Sequence, residues 1–195
     1  MFNQETDERL LQRASRGDEA AFVEVYLRHR EAVFSFAYRL LGSKELAEDV
    51  AHDCFLSLMK NPERFKAGRA SLKTYLLAAV RNLALKHFHK ASSNVSLEEM
   101  IEEPTLHERY LPIEKLIESE LSSLVQKAVM SLPPYQREAL ILFEYEELSL
   151  AEIAAIVEVD VNAVKQRLHR ARTSLKKMLA PYIDSEQRSL AWKRL

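Results

Sequence analysis

The sequence predicts an all-α protein of two small helical domains joined by a flexible linker, with a helix-turn-helix in the second domain. Three observations support this fold class. Glycine is scarce, at 3 of 195 residues, whereas Leu, Ala, Glu, Lys and Arg are plentiful, which favours helices over tight β-turns. Apolar residues recur at helical spacing in two long segments. Between them lies a Glu-rich stretch that contains Pro104 and Pro112 and has weak apolar periodicity.

The predicted first domain begins with a helix from Asp18 to Leu41, which Gly42 ends. Ser43 can cap the next helix, which runs from about Lys44 to Lys60 and stops before an Asn-Pro pair. A third helix covers roughly Ser71 to Lys90. These helices define a first domain over residues 1–91.

The predicted second domain carries a short helix, a tight turn and a longer basic helix. Ser149 and Glu152 form a capping box that opens the short helix, which ends at Val157. Asp160 is placed to cap the longer helix, which ends near Leu179. This order of elements is the helix-turn-helix pattern. The remaining boundaries are an acidic linker at 92–112, the second domain at 113–182 and a C-terminal tail at 183–195.

The net charge of −1 conceals strong segregation of charge. Lys66 to Lys90 contains six basic residues and no acid, and Lys165 to Lys177 contains six more, again with no acid. Glu98 to Glu120 holds eight Glu between them. Two basic blocks indicate two polyanion-binding surfaces, although each block alone is also typical of a solvated helix face.

The last helix separates its apolar and polar residues by angle. Val164, Leu168, Ala171 and Leu175 fall on one stripe, which predicts that they are buried. A second cluster near the N-terminal end suits base edges in a major groove, and flanking cations suit phosphates. The base-edge candidates are Ala163, Gln166, Arg167 and Arg170, and the flanking candidates are Lys165, His169, Arg172 and Lys176. The alternative is an ordinary amphipathic helix with a cationic face.

Three strings in this half of the chain resemble region 4 of the extracytoplasmic-function (ECF) sigma factors of bacteria. They are Leu132-Pro-Pro-Tyr-Gln-Arg-Glu-Ala-Leu, Leu148-Ser-Leu-Ala-Glu-Ile-Ala and Val164-Lys-Gln-Arg-Leu-His-Arg-Ala-Arg. The resemblance implies that the eight candidates of the last helix contact the −35 promoter element. Glu158 departs from the family, which usually has a turn glycine at this position.

The first domain is similar to region 2 of the same family. Thr74-Tyr-Leu-Leu-Ala-Ala-Val-Arg-Asn-Leu-Ala matches the helix that opens and reads the −10 element. Cations and aromatic rings in and before this helix suit the backbone and the unstacked bases of melted DNA, although Phe65 and Tyr75 are equally compatible with a core position. The −10 candidates are Phe65, Lys66, Arg69, Lys73, Thr74, Tyr75, Arg81, Asn82 and Lys86.

The helix before this one carries the predicted polymerase contact. Ala47-Glu-Asp-Val-Ala-His-Asp-Cys-Phe-Leu resembles the family's helix that docks on the polymerase clamp. Leu56 and Met59 fall among the charges opposite its apolar arc, and exposed apolar residues framed by acids indicate an interface. The core polymerase candidates are Glu45, Glu48, Asp49, His52, Asp53, Leu56 and Met59.

Nothing in the sequence indicates catalysis. There is no phosphate-binding glycine loop and no nucleophile elbow, and the single cysteine, Cys54, lies on an apolar arc. We therefore expect a cytoplasmic protein that is not an enzyme, with no cofactor, no metal and no small-molecule substrate. The expected partners are core RNA polymerase, promoter DNA and, by resemblance alone, an anti-sigma factor of the kind that is often membrane-bound.

Two other functions compete with an alternative sigma factor. One is a stand-alone helix-turn-helix transcription regulator, which would not explain the first basic block. The other is a sigma mimic that titrates an anti-sigma factor, which has no need of Arg167 and Arg170. A separate hypothesis holds that the linker acids mask the DNA-binding surfaces of the free protein through weak, collective ion pairs. These acids are Glu98, Glu99, Glu102, Glu103 and Glu108.

Overall fold

The structure of the protein is a computed structural model that describes residues 5–94 and 113–192, with side chains described over 5–87 and 122–182. Over these residues the chain forms α-helices joined by short turns and one 3-10 turn at Pro62–Arg64. The helices are α1 (Asp7–Ala14), α2 (Glu19–Leu41), α3 (Lys44–Lys60), α4 (Leu72–Asn94), α5 (Ile113–Met130), α6 (Pro134–Glu144), α7 (Leu150–Val157) and α8 (Val161–Trp192).

The N-terminal half, residues 5–94, packs α1, α3 and α4 around the long helix α2. Its junctions follow from local cap chemistry. The Asp18 carboxylate accepts a hydrogen bond from the Ala21 N–H at the start of α2, and Gly42 ends the helix in the left-handed conformation. The Ser43 hydroxyl then accepts from the Leu46 N–H and opens α3. Helix α3 runs from Lys44 to Lys60, so its predicted bounds are confirmed.

The C-terminal half, residues 113–192, packs α5, α6 and α7 against α8 or against one another. The predicted capping box is confirmed, because the Ser149 hydroxyl accepts from the Glu152 N–H while the Glu152 carboxylate accepts from the Ser149 N–H. The Asp160 carboxylate accepts from two backbone N–H groups of the first turn of α8, at 2.8 and 3.0 Å. Helix α7, the turn and α8 form the helix-turn-helix.

Two predicted helix ends in this chain were wrong. Helix α8 does not end near Leu179 but continues through Pro181 to Trp192, so most of the predicted tail is helical. One proline removes a single helical hydrogen bond, and here that loss does not end the helix. Helix α4 likewise runs four residues beyond Lys90 into the predicted linker, to Asn94. The rest of that linker lies outside the described residues.

The two halves pack directly against each other. Helix α2 contacts α5 and α6, and α4 contacts α7. The buried apolar residues of both halves form one continuous cluster, from Leu10 to Ala171. Polar contacts cross the same boundary: Arg137 donates to the Leu40 carbonyl oxygen at 2.9 Å, and Gln126 donates to the Tyr38 hydroxyl at 3.2 Å. The described residues therefore form a closed arrangement of the two halves.

Candidate nucleic-acid and polymerase surfaces

The N-terminal part of α8 presents a polar surface behind a buried stripe. Val164, Leu168 and Ala171 are buried, as the apolar spacing predicts. The packing of this stripe fixes the rotation of the helix, because α8 has α6 and α7 on that side. Five of the eight −35 candidates lie exposed on α8 outside this stripe and make no ion pair within the described residues. They are Lys165, Gln166, His169, Arg170 and Lys176.

The other −35 candidates are less accessible. Ala163 is partly buried, and Arg172 is exposed but donates to Glu144 at 2.7 Å. The Arg167 guanidinium donates to the carboxylate of buried Glu138 at 2.8 Å and lies 5.1 Å from the centre of the Tyr135 ring. Arg170 is therefore exposed, whereas Arg167 is partly buried and already paired with an acid.

The −10 candidates fall into three groups: a half-buried aromatic pair, a set of exposed residues, and a set that faces the other half of the molecule. Phe65 and Tyr75 are half-buried and meet edge to face, with ring centres 5.6 Å apart, so each ring packs against the other. Burial raises the pKa of the Tyr75 hydroxyl above its ordinary value. The exposed members are Lys66, Arg69, Asn82 and Lys86.

The remaining −10 candidates face the other half of the molecule. Thr74 is buried, and its hydroxyl lies 2.8 Å from that of Ser71 at the start of α4. The Lys73 ammonium pairs with the Glu146 carboxylate at 3.0 Å, and the buried Arg81 guanidinium pairs with Glu138 at 2.8 Å. In the closed arrangement the C-terminal half therefore occupies the groups proposed to meet DNA.

Helix α3 presents the predicted polymerase face. Glu45, Glu48, Asp49, His52 and Asp53 are exposed, and the Met59 side chain is 52 % exposed. Hydrogen bonds from its own backbone N–H and from the Ser43 hydroxyl hold the pKa of the Glu45 carboxyl below its ordinary value.

The expected exposure of Leu56 was wrong in part, because this side chain is partly buried. Met59 is therefore the more exposed of the two apolar residues on this face.

The described residues contain neither a cluster of metal-ligating side chains nor a reactive thiol. No group of three His, Cys, Asp or Glu side chains there could hold a metal ion. Cys54 is buried, and burial raises the pKa of its thiol to about 12, which disfavours the nucleophilic thiolate. No helix in the described part of the chain is long and apolar enough to cross a membrane.

Two residues at the centre of these contacts, Glu138 and Glu146, were missed by the sequence reasoning. Glu138 stands in the run Arg137-Glu-Ala-Leu-Ile-Leu, where burial of the neighbouring apolar residues encloses it. A charged residue inside such an apolar run needs a partner of opposite charge. This need is the sequence signal by which Glu138 could have been recognised.

The fold first defines a class of protein. This is a helical protein with a helix-turn-helix, a motif of the kind that binds DNA, and the second helix of this motif, α8, carries the second basic block. The family then follows from sequence comparison. A model of sigma-70 region 2 matches residues 25–94, and a model of sigma-70 region 4 matches residues 122–175. The chain belongs to the ECF sigma factors, which bind core RNA polymerase and direct it to promoters.

Relatives of similar length support this assignment. The ECF RNA polymerase sigma factor SigW of Bacillus subtilis is 29 % identical over 177 residues, which cover 87 % of this chain and 94 % of that protein. The RNA polymerase sigma-H factor of Pseudomonas aeruginosa is 29 % identical over 191 residues, covering 94 % and 98 %. The sigma factor RpoE from Bartonella quintana, solved in complex with the anti-sigma factor NepR, is 26 % identical with a TM-score of 0.64, covering 82 % and 96 %.

Proposed function

We propose that the two halves divide the work of promoter recognition. The N-terminal half binds core polymerase through the exposed face of α3 and contacts the −10 element through α4 and the loop before it. The C-terminal half contacts the −35 element through the exposed N-terminal part of α8. The observation that carries this proposal is the buried stripe of α8, because it orients Gln166 and Arg170 outward at the end of the helix that meets base edges.

The chemistry of nucleotide addition belongs to the polymerase in this proposal. The chain itself is not an enzyme and acts in the cytoplasm, where the polymerase is. An anti-sigma factor is a further proposed partner, because the Bartonella quintana relative was solved in complex with one. That partner would hold the protein away from polymerase until a signal releases it.

The test is reconstituted transcription with core polymerase, and the variant is Met59→Ser. Loss of an apolar side chain that becomes buried on binding should weaken core affinity by about tenfold, which corresponds to about 1.4 kcal/mol. Stability should stay within about 0.5 kcal/mol, since Met59 is exposed in the free protein.

Leu27→Ser is the matched control, because Leu27 is 50 % exposed in the same half but lies on α2. Its core affinity should equal that of the parent. Failure of the parent protein to support promoter-dependent transcription with any core polymerase of a related bacterium would refute the proposed function. Equal core affinities of the Met59 and Leu27 variants would refute the role of α3.

A further inference from the structure

A groove opens on the surface where α1, the start of α2 and the end of α3 meet. Its volume is about 330 Å³. Val23 of α2 and Met59 of α3 both line it, and each of these large apolar residues is 52 % exposed. Further apolar lining comes from buried or partly buried residues, which are Leu11, Ala14, Phe22 and Leu58. This α1–α3 groove therefore combines an apolar interior with two apolar side chains that face solvent.

Ionic contacts between α1 and α2 fix the position of α1 beside the groove. The Arg13 guanidinium pairs with the Asp18 carboxylate across the turn between the two helices, at 2.7 Å. Nearer the start of α1, the Asp7 carboxylate accepts from Arg28 at 3.2 Å and lies 2.8 Å from His29 Nε2. Because α1 is held at both ends, the α1–α3 groove is formed in the free protein, and a partner loses little affinity to ordering it.

Met59 connects the α1–α3 groove to the predicted polymerase face of α3. At 100° per residue, Glu45, Glu48, His52 and Met59 fall within about 60° of one another on this helix. All four are exposed. The row that they form is about 21 Å long, at 1.5 Å per residue, and it ends at the groove. A partner that follows this row from Glu45 therefore reaches the groove at its far end.

The charges that line the groove have the same sign as the acids of α3. Within residues 5–94, the charged side chains that line the groove are two acids, Asp18 and Glu19. Asp18 is paired with Arg13, whereas Glu19 is exposed and makes no ion pair within the described residues. An apolar side chain with Lys or Arg beside it complements both the apolar interior and this acidic edge.

We propose that the α1–α3 groove receives an apolar side chain of core RNA polymerase whose neighbours are cations. An apolar side chain enclosed in a pocket contributes a large share of the binding energy of an interface. Most of the groove lining precedes residue 25, where the match to sigma-70 region 2 begins, so α1 adds to the contact that α3 makes. This inference rests on the proposed polymerase contact of α3.

The first test is the affinity of the full-length Val23→Ser variant for core polymerase, measured by competition with the parent protein. Burial of the Val23 side chain on binding predicts that its loss weakens the complex by about tenfold. Leu27→Ser is the matched control, because Leu27 is 50 % exposed one turn farther along α2 and does not line the groove. Its affinity should equal that of the parent, and both variants should keep native helix content.

The second test fills the groove instead of removing apolar surface. Ser15 is exposed and lines the groove, so the ring of Ser15→Phe can occupy the space that the polymerase side chain needs. This variant gains apolar surface, yet its affinity for core polymerase should fall by about tenfold. An affinity equal to or higher than that of the parent would overturn the proposal, because a general apolar contact would be strengthened by the added ring.

The third test concerns the acidic edge of the groove. Glu19→Lys should weaken core binding by about two- to fivefold at low salt and by less at high salt, since an exposed charge pair is screened. Glu31→Lys is the matched control, because Glu31 is an exposed acid about 18 Å farther along α2. Equal affinities of the two variants would overturn the proposed cations of the partner.

A photocrosslinking amino acid, p-benzoylphenylalanine, in place of Val23 identifies the occupant directly. With core polymerase present, illumination should join the chain to a polymerase subunit. A product of twice the mass of the chain, formed without polymerase, would assign the groove to a second copy and overturn the proposal. Weakened binding by Met59→Ser with parental affinity of Val23→Ser and Ser15→Phe would overturn the groove alone. Parental affinity of all three variants would also refute the proposed role of α3.

Discussion

The two basic blocks carry six cations each in the sequence but face different surroundings in the structure. In α4 and the loop before it, Lys73 and Arg81 point toward the other half and are bound by acids there. In α8, Lys165, Arg170 and Lys176 are exposed and make no ion pair within the described residues, whereas Arg167 and Arg172 pair with acids of their own half. The two blocks therefore differ in where their acids lie, because the acids that bind Lys73 and Arg81 belong to the other half, whereas those that bind Arg167 and Arg172 belong to the same half.

This difference teaches that a charge block predicts a polyanion surface only when the acids of the rest of the fold are known. Block spacing identifies a cationic helix face. It does not show that acids 57 and 73 residues farther along the chain reach Arg81 and Lys73. Removal of an inward-facing cation should lower the free energy of unfolding. Removal of an outward-facing cation should instead lower the affinity for DNA. The predictions below test that division.

The largest effect is expected on removal of a buried, inward-facing arginine. Arg137 is buried and donates to the carbonyl oxygens of Leu40, Met130 and Leu132. Burial lowers its pKa below the ordinary value, which reflects the cost of enclosing the charge. Arg137→Ala should lower the free energy of unfolding by about 3 kcal/mol, because buried carbonyl groups lose their donor. Urea denaturation followed by circular dichroism measures this.

Lys165→Ala is the control for that measurement. Lys165 is an outward-facing cation of α8, so its removal should change the free energy of unfolding by no more than about 0.5 kcal/mol. Equal stability losses for the two variants would show that inward and outward cations do not differ in this fold.

Much of the fold could be predicted from the sequence, because its signals act over three or four residues. Ser43, Ser149 and Asp160 each form the helix cap that their position indicates. The stripe of α8 was likewise predictable from its spacing. The short helix α1 was missed because only Leu10 and Leu11 within it are buried.

The candidate site was predicted less completely, because its contacts are distant in sequence. The prediction that linker acids mask the DNA surfaces stays a prediction, since those acids lie outside the described residues. The structure instead places acids of the C-terminal half, Glu138 and Glu146, on the cations of α4. Which of many acids reaches a given cation depends on how the halves pack, and helix periodicity carries no information about that.

A smaller effect is expected for outward-facing cations, and it should appear in binding rather than in stability. Arg170→Ala should cost about 1–3 kcal/mol of discrimination at particular −35 bases, because an exposed guanidinium at this position can pair with a base edge. Lys176→Ala should weaken binding to all promoter sequences alike. The slope of log affinity against log salt concentration should fall by about one, as expected for the loss of one phosphate contact. Polymerase containing each variant is tested against a set of single-base −35 substitutions.

The Arg167→Ala variant sharpens the same comparison. In the polymerase complex it should relax preference at particular bases by less than the about 1–3 kcal/mol expected for Arg170→Ala, because Glu138 lies in the same half and pairs with Arg167. In the free protein its effect on binding should be smaller than that of Arg170→Ala, since Glu138 already occupies the guanidinium. Base preferences that survive in both arginine variants would refute the assignment of α8.

The smallest expected effect concerns the turn between α7 and α8. Glu158 ends α7 in the left-handed conformation, with φ of 56° and ψ of 45°, where the family resemblance leads us to expect glycine. A residue with a Cβ is strained by about 1–2 kcal/mol there, whereas glycine adopts this conformation without a clash. Glycine also loses more backbone freedom on folding, which offsets part of that gain. Glu158→Gly should therefore stabilise the protein by about 1 kcal/mol and raise Tm by about 2–4 °C.

The Glu158 side chain is exposed and makes no ion pair within the described residues, so no other contact opposes the gain. Gly17→Ala is the reverse experiment in the turn between α1 and α2, where φ is 92° and an added Cβ meets no atom within 4 Å, so it should lower Tm through backbone strain alone. Thermal denaturation of both variants measures the effect, and a lower Tm for Glu158→Gly would show that this turn is not strained.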